Sequence, residues 1–105
     1  MIFTFEFTKT AKETLAALKH SPSLEKRYRA VVKALNTLSQ NPRHPSLQTH
    51  KFTSLEGPNG EEMFEAYAEQ DTAAAYRIFF YYGSVRGEIV VLAITPHLQE
   101  NRLRR

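Results

Sequence analysis

The sequence predicts one α+β domain, in which an N-terminal strand and an antiparallel meander form a single sheet with a helical hairpin packed on one face. Three observations carry this reading. The chain opens with alternating aromatics, Phe3, Phe5 and Phe7, as a half-buried strand does. A helical period then runs as far as Asn41, interrupted once by His20-Ser21-Pro22-Ser23. From His50 onward the pattern is extended, in four short runs separated by turn signals. With 105 residues the chain suffices for one domain, residues 1–105, and one modest core.

Taken in order, Ile2, Thr4 and Glu6 alternate with the aromatics of the first strand. Thr8 or Thr10 supplies a helix cap, and Thr10 with Glu13 has the spacing of a capping box. Ala11, Leu15 and Leu18 give the first helix one apolar face. Ser21 is a good cap and Pro22 suits the first position of a second helix, whose stripe is Leu24, Tyr28, Val31, Leu35 and Leu38. So short a break predicts an antiparallel helical hairpin. Asn41-Pro42-Arg43-His44-Pro45 ends it, because each proline lacks a donor and restricts the residue before it. Strands are expected at His50–Leu55, Glu61–Glu69, Ala75–Tyr82 and Glu88–Thr95. Turns at Gly57–Gly60, Gln70–Thr72 and Gly83–Gly87 make them a meander, for the order β-α-α-β-β-β-β. Residues 98–105 are a polar tail, a short helix or a frayed end.

Composition narrows the function classes. Hydrophobic residues at 42% and charged residues at 24% argue against disorder. The absence of cysteine rules out a disulfide framework and a thiolate zinc site, and suits a reducing cytosol. Glu6 and Lys9 interrupt any signal-like opening, and the longest apolar run, Ile89–Ile94, is too short to span a bilayer. A soluble, cytoplasmic protein with no membrane partner is the expectation. Residues 1–55 hold nine Lys/Arg against three acids, whereas residues 56–105 hold five against eight. Six of those acids fall between Glu56 and Asp71. The split suggests a bipolar surface, one side suited to phosphates and the other to a basic partner, although solvated faces explain it as well.

The parity of the sheet selects the residues that share a face. With symmetric turns, Arg77 faces Tyr67 on one neighbouring strand and Ala93 on the other, and Tyr81 faces Ile89. Glu65 and Glu69 are then diagonal to Arg77. Tyr76, Ile78, Phe80 and Tyr82 point to the helix side, and Arg77, Phe79 and Tyr81 line the open face. Arg77 fits a phosphate clamp, since its planar fork grips two oxygens, and it fits equally a structural ion pair with a nearby glutamate. His97 shares the parity of Ala93 and Thr95. It fits either a proton carrier or a surface histidine at a strand end. Arg43, His44, His50 and Lys51 form a second basic cluster, which as loop charge needs no function. Lys26, Arg29 and Lys33 lie on one face of the second helix, as a backbone-tracking stripe or a solvated surface with a Glu25–Arg29 pair. No Gly-rich phosphate loop, nucleophile elbow or metal-ligand motif occurs, so neither a metal nor a small-molecule cofactor is expected.

The ordered set Phe3-x-Phe5-x-Phe7, the helical hairpin, Asn41-Pro42-Arg43-His44-Pro45-Ser46-Leu47, His50-Lys51-Phe52, Tyr76-Arg77-Ile78-x-Phe80 and Ile94-Thr95-Pro96-His97 resembles RelE/ParE-type toxins of bacterial toxin–antitoxin modules. The resemblance covers roughly residues 2–98, and no single piece is diagnostic. It implies a RelE-like fold, a cognate antitoxin and, for the RelE-like branch, metal-independent cleavage of messenger RNA on the ribosome. Under that reading Arg77, His97 and Lys51 are the catalytic candidates. Lys26, Arg29, Lys33, Arg43, His50 and Tyr81 are candidate RNA contacts. Many active members carry an arginine or tyrosine directly after the last strand, whereas Leu98 and Gln99 follow His97 here. That departure leaves two alternatives open, a ParE-like toxin that binds gyrase without chemistry and a family member without toxicity. A second copy of the chain is a further candidate partner.

Overall fold

In the computed structural model, which describes residues 2–96, the chain runs β1 (Thr4–Phe7), α1 (Lys9–Lys19), a 3₁₀ turn (Pro22–Leu24), α2 (Glu25–Gln40), a second 3₁₀ turn (Pro45–Leu47), β2 (His50–Glu56), β3 (Glu62–Tyr67), β4 (Tyr76–Tyr82) and β5 (Glu88–Pro96). The tail expected at 98–105 lies outside the described residues. Thr8 caps α1, its Oγ1 accepting from the Ala11 N–H at 3.1 Å. The same hydroxyl donates to the Leu92 carbonyl at 2.6 Å. Thr8 is therefore used in place of the Thr10–Glu13 box, because one side chain both caps the helix and ties it to β5. Ser21 stands before the 3₁₀ turn, but its hydroxyl meets Ser23 rather than a backbone N–H.

The five strands form one sheet in the order β1-β5-β4-β3-β2. The antiparallel meander runs from β2 to β5, and β1 lies parallel to β5 at the far edge. Ala66, Ile78, Phe80, Ile89, Val91 and Ile94 from the sheet bury themselves against Ala11, Leu18, Val31, Leu35 and Leu38 from the helices. Phe5 and Phe7 pack partly buried against this cluster. The valine, leucine, isoleucine and phenylalanine side chains among these each contribute about 1.5–3 kcal/mol when fully buried.

Tyr67 faces Arg77, as the symmetric turn predicts. The β4–β5 pairing departs from expectation: Arg77 faces Thr95 rather than Ala93, and Tyr81 faces Val90 rather than Ile89. The register shifts between Phe79 and Phe80, where Leu92 is the extra residue of a bulge. The buried positions Ile89, Val91 and Ile94 record it, two residues apart and then three. Thr8 donates its hydroxyl to the carbonyl of that same Leu92.

Candidate functional site

Residues paired across an antiparallel ladder project to the same face. The pairs His50–Glu65, Glu65–Phe79, Tyr67–Arg77 and Arg77–Thr95 therefore share the side of the sheet away from the helices. Glu65 is at the centre, only 1% exposed and the one charged residue fully buried among the described residues. A carboxylate removed from water needs charged or hydrogen-bonding partners. Arg77 Nη1 donates to one oxygen of Glu65, and His50 Nε2 lies 2.7 Å from the other. His50 Nδ1 donates to the Gln48 carbonyl at 2.9 Å. Both ring nitrogens are thus engaged within the cluster, one by the Glu65 carboxyl and the other by the Gln48 carbonyl. The Arg77 guanidinium lies 4.7 Å from the centre of the Tyr67 ring, a cation–π contact. Phe52 and Phe79 meet edge to face at 4.9 Å beside this cluster. Of the two roles open to Arg77, the ion pair with Glu65 is formed, yet its Nε is buried without a partner among the described residues.

Beside Arg77 is a shallow cleft of about 310 Å³ walled by Tyr67, Gln70, Asp71, Thr72 and Ala75. Its outer wall is the loop joining β3 to β4, where Asp71 and Ala74 adopt left-handed backbone angles (φ 55° and 53°). Arg27 of α2 holds that loop, donating to the Ala74 and Ala73 carbonyls at 2.8 and 2.9 Å. It also stands over the Tyr76 ring and 3.7 Å from Glu69, which accepts from the Tyr76 N–H. Gln70 closes the other end by donating to the Ser46 carbonyl. No sequence pattern singles out Arg27, because its partners lie more than forty positions away.

The remaining candidates are scattered. Lys51 pairs in register with Phe64, which faces Phe80 in the core, so it projects to the helix side of the sheet edge and not with Arg77. There it meets Glu62 at 3.0 Å, both side chains being exposed. Tyr81 is buried; burial pushes its phenol pKa up, and the charges of Glu61 and Glu88 push the same way. A phosphate is unwelcome beside those acids. Arg43 is exposed after α2, where its charge opposes the upward shift that burial gives Tyr82. Lys26, Arg29 and Lys33 are exposed on α2, in the layer opposite the Arg77 face. His97 lies outside the described residues, directly after Pro96, which pairs with Tyr76. The structure thus gathers Arg77 and His50 around Glu65 and leaves Lys51, Arg43, Tyr81 and the α2 cations elsewhere.

Two helices on one face of a five-stranded sheet in this order make the RelE/ParE toxin fold. The chain is similar to RelE in an archaeal RelE–RelB complex from Pyrococcus horikoshii, with 20% identity, a TM-score of 0.61, and 91% of this chain and 96% of that one covered. It is similar to a YoeB/ParE toxin from Agrobacterium tumefaciens, at 9% identity and a TM-score of 0.67, over 91% of this chain and 100% of that one. A third likeness is to the toxin–antitoxin complex RelBE2 of Mycobacterium tuberculosis, at 24% identity and a TM-score of 0.54, over 92% of this chain and 100% of that one. No protein-family model matches the sequence. The comparison with curated proteins gives no match. No helix among the described residues is long and apolar enough to cross a membrane.

Proposed function

We propose that this chain is the toxin of a toxin–antitoxin pair, a cytoplasmic, metal-independent endoribonuclease that cuts messenger RNA on the ribosome. The observation that carries the reading is the His50–Glu65–Arg77 cluster, a proton carrier and a fixed cation joined by one buried carboxylate on the uncovered sheet face. In the proposed reaction the substrate's 2′-oxygen attacks phosphorus and the bond to the 5′-oxygen breaks, leaving a 2′,3′-cyclic phosphate and a 5′-hydroxyl. Arg77 stabilises the charge that grows on the phosphate oxygens. His50 gives a proton to the departing 5′-oxygen once one of its two hydrogen bonds yields to substrate. His97 takes the proton of the 2′-hydroxyl. Phe52 and Phe79 offer rings against which bases stack. The solved complexes of RelE with RelB and of RelBE2 support an antitoxin as partner. It is expected to cover the Arg77 face and to set an acidic side chain against Arg77 or Lys51.

A second reading, a ParE-like toxin that binds its target protein without chemistry, is favoured by one observation. Glu65 already engages both His50 and Arg77, so the cluster is complete without a substrate. Induced expression with mapping of RNA 5′ ends separates the two. The ribonuclease yields new 5′ ends, and His50→Ala or His97→Ala each lowers cleavage by about 10²–10⁴. Growth arrest without new ends, or cleavage that survives both substitutions in folded protein, selects the protein-binding reading.

A further inference from the structure

Of the four cations on α2, Lys26, Arg29 and Lys33 are exposed and Arg27 alone turns inward, its side chain 27% exposed. Both arms of its planar fork are used. Nη1 and Nη2 donate to the carbonyls of Ala74 and Ala73, successive residues of the β3–β4 loop. The Glu69 carboxylate lies beside Nη1, and the Tyr76 ring lies under the guanidinium. A lysine, with one nitrogen on a flexible stem, has no such rigid fork for neighbouring acceptors. The loop held in this way is strained. Ala74 takes a left-handed backbone angle that a residue with a Cβ rarely adopts, and Asp71 takes another. Strain of this kind persists where the surroundings over-determine it, and it gathers at sites whose geometry matters.

What the grip sets is the start of β4. Tyr76, the first residue of that strand, gives its N–H to the Glu69 carboxylate at 3.0 Å. Its carbonyl accepts from the Ala68 N–H at 2.9 Å, and on its other side it pairs with Pro96 of β5. Successive residues of a strand project to opposite faces. The Tyr76 ring therefore lies with Arg27 on the helix side, while Arg77 emerges on the uncovered face. The same loop walls the cleft beside Arg77. Beyond the Nη1 bond to Glu65 and the contact with the Tyr67 ring, the aim of the Arg77 guanidinium is set by where the β4 backbone lies. Arg27, on the helix side, does not meet a substrate held on the uncovered face.

We propose that Arg27 is a positioning residue: by pinning the strained β3–β4 loop to α2, it sets the backbone from which Arg77 reaches the scissile phosphate. This role rests on the cleavage reading above. It is tested on the full chain, with kcat and KM measured for a defined messenger RNA bound to the ribosome. Arg27→Lys keeps the charge beside Glu69 but cannot grip two carbonyls. It should lower kcat at least about tenfold and leave KM within about twofold of the parent, as the loss of an interaction made only in the transition state does. Arg27→Met, which keeps an apolar stem against Tyr76, should fall as far. In the background of Arg77→Lys, which leaves Glu65 a cation, Arg27→Lys should add less than about twofold, because a residue that acts through Arg77 has nothing left to act on. A loop that served stability alone would lower the melting temperature and leave kcat of the folded protein unchanged. The proposal is overturned if Arg27→Lys keeps the parent kcat, if its loss appears in KM alone, or if the two substitutions multiply. A parent that folds but cuts no RNA removes the cleavage reading alone, and positioning is then read in the free protein from the Arg77 Nε–H resonance. That hydrogen is buried without a partner among the described residues. Its exchange with water should quicken at least about tenfold in Arg27→Lys, and an unchanged rate overturns positioning as well.

Discussion

On one side of β4, Ile78 and Phe80 are sealed beneath the helices, whereas on the other Arg77 and Phe79 stand on a face that no helix covers. The two sides alternate along the same backbone but are held by different physics. Apolar burial is non-directional and scales with area, so a like-sized residue replaces another at small cost. The Glu65 cluster is directional, and losing one member strands a charge away from water. The lesson is that the face suited to chemistry is also the one with least tolerance, because its carboxylate has nowhere to turn for solvation.

The largest expected effect breaks the uncovered side. Arg77→Ala leaves the Glu65 carboxylate with His50 alone and should cost about 3–5 kcal/mol, read from urea or thermal unfolding. A variant that melts like the parent would show that the cluster does not hold this face. Replacing Glu65 by Leu together with Arg77 by Met should restore most of the stability, since an apolar pair needs no counter-charge. On the covered side, Leu35→Ala should cost about 2–5 kcal/mol through the cavity it opens. Leu35→Met should cost less than about 1.5 kcal/mol, and that contrast with Arg77 is the sharpest measure of the difference between the faces.

Smaller effects come from the seam and from pH. Thr8→Ala removes the α1 cap and the donor to Leu92, and should cost about 0.5–2 kcal/mol in denaturant unfolding. Hydrogen exchange should quicken at the start of α1 before it does in β4. The raised pKa of Tyr81 favours the neutral phenol in the folded state. Its stabilising contribution is complete below the ordinary value of 10.0 and declines as pH rises through the folded value, so Tyr81→Phe should flatten the alkaline limb of the stability profile. Glu61 shifts the other way: N–H donation from Asn59, then from its own backbone, holds its carboxyl below the ordinary 4.5. Its contribution is present above that value and lost as pH falls through the folded one. The melting difference between the parent and Glu61→Gln should therefore shrink in acid.

The sequence by itself determined the helices, the four later strands to within two residues, and the face on which Arg77 sits. Each of these rests on local periods of 3.6 or 2 and on short turns, which need no knowledge of distant residues. It also determined that Tyr67 faces Arg77, because the intervening turn is symmetric. Only the tertiary structure decided that β1 pairs in parallel with β5, some eighty residues away, and that Leu92 bulges to shift the β4–β5 register. The same is true of the site. Glu65 was legible as a partner for Arg77, but its bridge to His50, the separation of Lys51 to the other face and the grip of Arg27 on the β3–β4 loop were not. These depend on which strands become neighbours and where their ladders slip, and backbone pairing between distant segments leaves no period in the chain that forms it.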